Sequence, residues 1–475
     1  MMQHPFKYFR ILFIIFLFLI IQFIPADKLK AQDVSSPNND NTLWKAGMSR
    51  TVITPPEYMW MAGFASRDKP AEGILHDLWA KAIALEDAGG NRALLITTDI
   101  IGFSRDLSVS ICNRLINTYG LERKNIILSS SHTHSGPVVN YNLFGIYPPF
   151  GEDQIRKVKE FRQFIEEQII IVAGRAIGSM SPVRLSVGAG MARFAVNRRE
   201  SGWEGDVMYA PEVKGPSDHV VQVLKVSDPD GIPVAVIFGY SCHATCLTLN
   251  KWSGDYPGFT QIELERTYPG ITAMFFAGFG ADQNAFPRGG ILETEQYGKE
   301  LALAVEKVMK EPTVPLASTI HTLYDEIELD IAPSPDQEEL NSIQDKGADW
   351  EKRWAKGMQE KIAAGKDLPD SYPHYPVQTW QLGDQTWVIL GGEVVVDYAF
   401  KFREQFGKEL MIMGYANDVM AYIPSERVLK EGGYEGMSSM RAYGHRSNWS
   451  PGIEERIGNE VARQVNLIKT MGMVK

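Results

Sequence analysis

A chain of 475 residues, 44% hydrophobic and 22% charged, has the apolar material for a full core and the length of one large α/β enzyme domain. Its formal net charge of −10, with no basic concentration in the body of the chain, argues against nucleic acid as a partner. Three cysteines, Cys112, Cys242 and Cys246, cannot all pair within one chain, which excludes a disulfide scaffold; burial as free thiols is expected, with a Cys242–Cys246 bridge as the alternative.

In chain order, Lys7 and Arg10 precede an apolar run over 11–24, and small residues follow at Ala26 and Ala31. A positive start, an apolar middle and small residues near a cut are the layout of a secretory signal peptide, here 1–31, and predict a secreted or periplasmic protein. The run is short for a membrane span, which needs ~20 residues; an uncleaved anchor is the alternative. No other segment has the pattern of a span. Residues 32–42, rich in Asn, Ser and Asp, read as a linker. The remainder, 43–475, reads as a single domain with a helical insertion near 336–368. There Trp350 and Trp354 share a helical face, and Pro333, Pro335, Pro369 and Pro373 flank it.

Six short apolar runs each end in a polar cluster. Residues 93–98 lead to Asp99, 126–131 to His132, and 234–240 to Ser241-Cys242-His243. Residues 271–279 lead to Gly280-Ala281-Asp282, 387–392 to Glu393, and 410–414 to Asn417-Asp418. Short runs that are apolar at nearly every position are what strands buried on both faces look like. Helical periodicity over 156–177 and 293–310, the latter with Tyr297, Leu301, Val305 and Val308 on one side, lies between them. The expected fold is α/β, a layered mixed sheet with flanking helices, with a metal site at the carboxyl ends of the strands.

His132 and His134, two apart in extended backbone, point to the same side of a strand end. Alone, a His-x-His serves equally as a metal-binding pair or as a hydrogen-bonded structural pair. His243, taken alone, reads more readily as a satisfied core residue. Glu393 follows Gly391 and Gly392; if buried it must be paired, protonated or metal-bound, and capping a following helix is the plainer alternative. Arg198 in Asn197-Arg198-Arg199 is suited to an anion or a polarised carbonyl, or to plain solvation. Gly239-Tyr240-Ser241-Cys242-His243 lacks the last glycine of a nucleophile elbow, and no phosphate-binding glycine loop is present, so metal-assisted hydrolysis is preferred over serine or nucleotide chemistry.

These pieces, in this order from Ala46 to Gly436, resemble the neutral/alkaline, non-lysosomal ceramidase family. The resemblance rests on the stretch Gly47 to Pro55, on Met61-Ala62-Gly63-Phe64 and on His76 to Ala82. It continues through Ser131-His132-Thr133-His134-Ser135-Gly136-Pro137, Asn197-Arg198, His243 and Ser253-Gly254-Asp255. Gly392-Glu393, Tyr422-Ile423-Pro424 and Tyr434-Glu435-Gly436 complete it. The resemblance implies Zn2+ held by His132, His243, Glu393 and Tyr422. It places His134 at the substrate carbonyl or its oxyanion, and Arg198 and Tyr434 in the same pocket. Asp99, Asp282, Asn284 and His76 are candidates to orient the ligands, or to serve structure alone.

Three departures are visible. Gly280-Ala281-Asp282-Gln283-Asn284-Ala285 stands where the family has Gly-Asp-Val-Ser-Pro-Asn, and the missing serine favours metal-activated water. No C-terminal β-sandwich is expected in this sequence, and loops 139–155 and 336–380 do not follow the family. The expected activity is hydrolysis of an amide (N-acyl) bond in a sphingolipid-like small molecule, with membrane-surface contact through that substrate. A glycan amide, ester or glycoside is the alternative substrate, and a secreted binding protein without catalysis the alternative class.

Overall fold

The computed structural model describes residues 43–139, 143–199, 215–366 and 368–473; the signal peptide and linker expected over 1–42 lie outside them. The larger sheet contains β1 (Trp44–Val52), β2 (Trp79–Glu86), β3 (Arg92–Thr98), β4 (Ile126–Ser130), β5 (Ser181–Met191), β6 (Val220–Ser227), β7 (Pro233–Tyr240) and β8 (Thr272–Ala277). They run in the order β8-β7-β6-β5-β1-β2-β3-β4, and the short strand Val314–Pro315 adds to β5. Most neighbours are antiparallel. The exceptions are the outer pairs, β3 with β4 and β7 with β8, which are parallel. Each parallel pair is joined by a crossover helix, as parallel neighbours require: α1 (Arg105–Tyr119) and α3 (Asp255–Thr267).

A second sheet of β9 (Ile320–Asp330), β10 (Ser371–Leu382), β11 (Gln385–Leu390) and β12 (Met411–Met413) packs against the first. Alternation explains why the strands look apolar throughout. Leu95 of β3 and Ile237 of β7 point inward, to a layer shared with Trp380, Trp387 and Met413 of the second sheet. Their neighbours Leu94 and Ile96, and Val236 and Phe238, point outward into helices. Phe276 and Trp387 meet across the inner layer with ring centroids 5.5 Å apart. Both faces of β3 and β7 are therefore dry over most of their length, the condition under which a strand loses its polar alternation.

Helices close the outer faces. α1 and α2 (Glu152–Gly178) cover β2 to β4, while α3 and α4 (Ile291–Lys310) cover β6 to β8. α7 (Asp397–Phe406) and α8 (Ile453–Met473) cover the second sheet, with Phe402, Val461 and Val465 in the same cluster as Val377, Val388 and Leu390. Between β9 and β10 lie α5 (Gln337–Lys346) and α6 (Asp349–Ala363). They have a small apolar cluster of their own, Leu340, Ile343, Ala355 and Met358. Trp350 of α6 packs toward the cluster under α1 and α2, while Trp354 donates its indole N–H to the His445 carbonyl at 2.9 Å.

One loop positions the site. The chain leaving β12 lies between the two outermost strands of the large sheet. Gly414 N donates to Ala277 O at 2.9 Å on β8, and Asn417 N donates to Leu128 O at 2.7 Å on β4. Tyr415 N donates to Gly392 O at 3.0 Å, beyond the end of β11. Tyr415 and Asn417 both take left-handed backbone, φ 52 and 65. Asparagine tolerates that conformation; for tyrosine it costs of order 1 kcal/mol or more, a strain typical of functional loops. The ends of four strands are stitched together at this point.

Candidate metal centre

His132 follows β4 in left-handed backbone, φ 57, and is 1% exposed. Its Nδ1 lies 2.5 Å from the Ile101 carbonyl oxygen, which can only accept, so Nδ1 is the donor and Nε2 is the nitrogen turned to the centre. His134 is tied to the second histidine loop by its backbone, N to Ala244 O at 3.1 Å. Its ring rests on Gly63, where an added Cβ would lie 2.3 Å from His134 Nδ1, and it meets the Phe64 ring at 4.8 Å. His243 follows β7; its backbone N donates to Gln283 O at 2.9 Å, and Tyr415 OH lies 3.4 Å from its Nδ1.

Glu393 and Tyr422 arrive as partners. They are paired in register in a two-residue parallel ladder, Glu393–Val394 with Tyr422–Ile423. Gly392, φ 72, permits that turn; a Cβ there would come within 2.8 Å of the Ala421 carbonyl oxygen. Glu393 is 2% exposed. Its Oε1 accepts from Tyr443 OH at 2.6 Å. Its Oε2 lies 3.1 Å from His132 Nε2 and 3.2 Å from His243 Nε2, yet has no hydrogen-bond donor of proper geometry. Tyr422 OH lies 3.3 Å from His243 Nε2, and His134 Nε2 lies 3.2 Å from His132 Nε2.

Burial sets the protonation states. It pushes the His134 imidazole well below its ordinary range, reinforced by the two neighbouring histidines. It lowers His243 to about 4 against the pull of Glu393. Burial, and then the Glu393 charge, holds the Tyr422 phenol well above its usual value. Burial works to raise Glu393, but the charges and contacts of His132 and His243 together hold it well below the carboxylate range. The centre thus collects lone pairs with few donors. Ring nitrogens of His132, His134 and His243, all within 4.8 Å of one another, could hold a metal ion. A buried carboxylate oxygen with no well-aligned donor, beside the Nε2 atoms of two histidines, fits a cation.

Arg198 sits at the edge. Its Nε donates to Glu435 at 2.5 Å and its Nη2 to Tyr422 OH at 3.2 Å. Glu435 also accepts from Arg199 Nη1 at 2.6 Å. Tyr434, 43% exposed, has its ring 5.3 Å from that of Tyr422, with the Arg198 guanidinium 5.8 Å from each. All seven residues singled out for metal or substrate therefore meet in one place.

The candidate orienters divide. Asn284 touches Arg198 Nη1 at 3.5 Å and Thr245 Oγ1 at 3.2 Å. Asp99 accepts from Trp79 N, and Asp282 from Val396 N and Asn197 Nδ2, so these two satisfy buried backbone and amide groups. His76 pairs with Ser253 Oγ at 2.9 Å and packs on Phe259. Within the segment that departs from the family pattern, Gln283 accepts from Asp218 N at 2.7 Å and donates to the Ser241 carbonyl, which pins the His243 loop. Tyr443, Tyr415 and the Ile101 carbonyl escaped the sequence reading; no spacing rule marks a loop tyrosine or a carbonyl. The cysteines are all buried and free.

A layered α/β protein with a buried centre able to hold a metal ion at its strand ends is what fold and geometry define. The family profile described as neutral/alkaline non-lysosomal ceramidase, N-terminal, matches residues 44–285. Neutral ceramidase A of Dictyostelium discoideum is 26% identical over 285 residues, covering 56% of this chain and 38% of the relative. Neutral ceramidase of Pseudomonas aeruginosa is 26% identical over 216 residues, covering 44% and 31%. The matched part thus spans less than two fifths of these curated relatives. The crystal structure of the Pseudomonas aeruginosa neutral ceramidase superposes with a TM-score of 0.68 at 17% identity, over 89% of this chain and 74% of that one, a likeness of fold. The chain belongs to the neutral/alkaline non-lysosomal ceramidase family.

Proposed function

We propose that the chain is a secreted, zinc-dependent hydrolase that cleaves the amide bond of an N-acyl, sphingolipid-like substrate. His132, His243, Glu393 and Tyr422 would hold the metal. The observation that carries this reading is Glu393 Oε2, buried between two imidazole Nε2 atoms at 3.1 and 3.2 Å with no donor. The amide substrate follows from the relatives, which are neutral ceramidases. No helix among the described residues is long and apolar enough to cross a membrane; export rests on the N-terminal sequence pattern.

Held by His132, His243, Glu393 and Tyr422, a zinc ion would supply Lewis acidity for the carbonyl and for a water near neutral pH. His134 remains neutral, with a buried Nδ1 lacking a partner, and serves to hydrogen-bond the oxygen that gains charge as the carbonyl carbon becomes tetrahedral. Arg198, fixed by Glu435, holds a positive charge against the Tyr422 oxygen and favours its ionised form. Tyr434 lies at the exposed rim, beside the path a substrate must take. The proton that the attacking water gives up is the one the departing amine takes, and the Tyr434 hydroxyl at the rim is placed to relay it.

Release of the amine from a short-chain N-acyl sphingoid tests the reading directly. Zinc-loaded protein should turn over and chelator-stripped protein should not, with recovery on adding zinc. His134→Ala should lose roughly 10²–10³ in kcat while keeping its metal, the size of an oxyanion contact. Full activity after complete metal removal, or no amide cleavage by the zinc-loaded protein, would end the proposal.

A further inference from the structure

The two loops that do not follow the family pattern, 139–155 and 336–380, are fastened to each other. α6, inside the second, packs against the single turn Phe144–Ile146 in the first and against the short helix Ser439–Ala442. Two neighbouring side chains of α6 make the ties. Arg353 Nη2 donates to the carbonyls of Gly145, Ile146 and Tyr147, closest to Tyr147 at 2.8 Å. Trp354 holds the segment 441–445, with its indole N–H on His445 O at 2.9 Å and the Arg441 guanidinium 5.3 Å from its ring.

Each fastened segment ends on the metal centre. Tyr443 donates to Glu393 Oε1 at 2.6 Å. Tyr147, 3% exposed, accepts from Gly63 N at 2.8 Å through its hydroxyl, while its own carbonyl is held by Arg353. The phenol is therefore a strut between α6 and Gly63. Residues 60–62 pair with 136–138, through Val138 N to Trp60 O at 3.0 Å and Ala62 N to Gly136 O at 2.9 Å, and the pairing stops there. The next N–H, on Gly63, meets the phenol instead of a strand partner.

Gly63 and Phe64 are what the His134 ring leans on. Its buried Nδ1 has no hydrogen-bond partner among the described residues, so no acceptor fixes the ring from behind in the way usual for metal-site histidines. Orientation comes from contact instead. Gly63, in left-handed backbone at φ 96, leaves no room for a Cβ against the ring, and the Phe64 ring lies 4.8 Å away. In a close-packed wall a displacement passes to whatever the wall touches.

We propose that the inserted helices orient His134, with Arg353 as a positioning residue that acts through Tyr147 and Gly63. Trp354, one residue on, serves the Glu393 side through Tyr443. Only the effect on turnover rests on the hydrolase reading.

The test uses the full zinc-loaded chain with isotope-labelled histidine, the His134 ring signals being assigned by their loss in His134→Ala. Arg353→Ala and Tyr147→Phe should both shift those signals and lower kcat for a short-chain N-acyl sphingoid ~10–100-fold, with KM and zinc affinity kept. The double variant should be no worse than the worse single one, because links of one chain are not additive. Arg353→Lys, which still donates to carbonyls, should recover most of the loss. Trp354→Phe, checked for folding by urea unfolding, should leave the His134 signals in place and weaken zinc binding about tenfold instead. Unmoved His134 signals or unchanged kcat in folded Arg353→Ala, additive losses in the double variant, or the same change in both readouts from Arg353→Ala and Trp354→Phe would overturn the proposal. If the zinc-loaded wild type cleaves no amide, the hydrolase reading falls, and the ring signals and zinc affinities still decide this one.

Discussion

The two oxygens of Glu393 have different neighbours, and Tyr443 keeps them so. With Oε1 taken by the phenol, Oε2 is the oxygen left to face His132 and His243. Tyr443→Phe should weaken metal affinity ~10–100-fold with little change in fold, measured by competition with a chromophoric chelator; unchanged affinity would remove Tyr443 from this role. Asp418 offers a test by pH. Burial raises it to about 7, above its unfolded value, so the protonated form stabilises the fold and that contribution is lost as pH rises from about 4 through 7. Asp418→Asn should therefore gain on the wild type across that window, by up to a few kcal/mol in urea unfolding. A pH-independent difference would contradict the assignment. At this scale the histidines, Glu393 and Tyr422 were legible through strand-end position and family likeness. Asp99 and Asp282, at strand ends too, were open to an orienting or a structural role from sequence; their carboxylates accept from buried backbone and amide N–H groups.

Among the elements, the loop after β12 decides whether the strand ends meet. Asn417 holds β4 through its backbone and through Oδ1, which accepts from Leu128 N at 3.2 Å, while its Nδ2 donates to Gln378 at 2.8 Å. Asn417→Ala removes both side-chain bonds and places alanine in left-handed backbone, so a loss of ~1–3 kcal/mol is expected by urea denaturation. A loss within experimental error would mean that the loop does not fasten the edge strands. The strands themselves were readable because both faces are dry, and their ends were read a residue or two long: the runs over 126–131 and 271–279 stop as strands at Ser130 and Ala277. The stitching loop was not readable. Its Gly-Tyr-Ala-Asn pattern is ordinary, and the left-handed conformations of Tyr415 and Asn417 are imposed by contacts with β4, β8 and Gly392 far away in sequence.

For the whole molecule, two sheets and their covering helices form the frame on which loops from distant parts of the sequence converge. Four ligand candidates, spread over 291 positions from His132 to Tyr422, depend on that frame for their geometry. The family profile ends at residue 285, before Glu393 and Tyr422, yet the fold brings both of them to the histidines. Metal content of the purified chain tests this convergence most directly, by mass spectrometry on wild type, His132→Ala and Glu393→Gln after identical dialysis against trace zinc. The account predicts one zinc per wild-type chain and substoichiometric zinc in both variants, with all three folded. A wild type without stoichiometric metal, or full zinc retained in both variants, would contradict it.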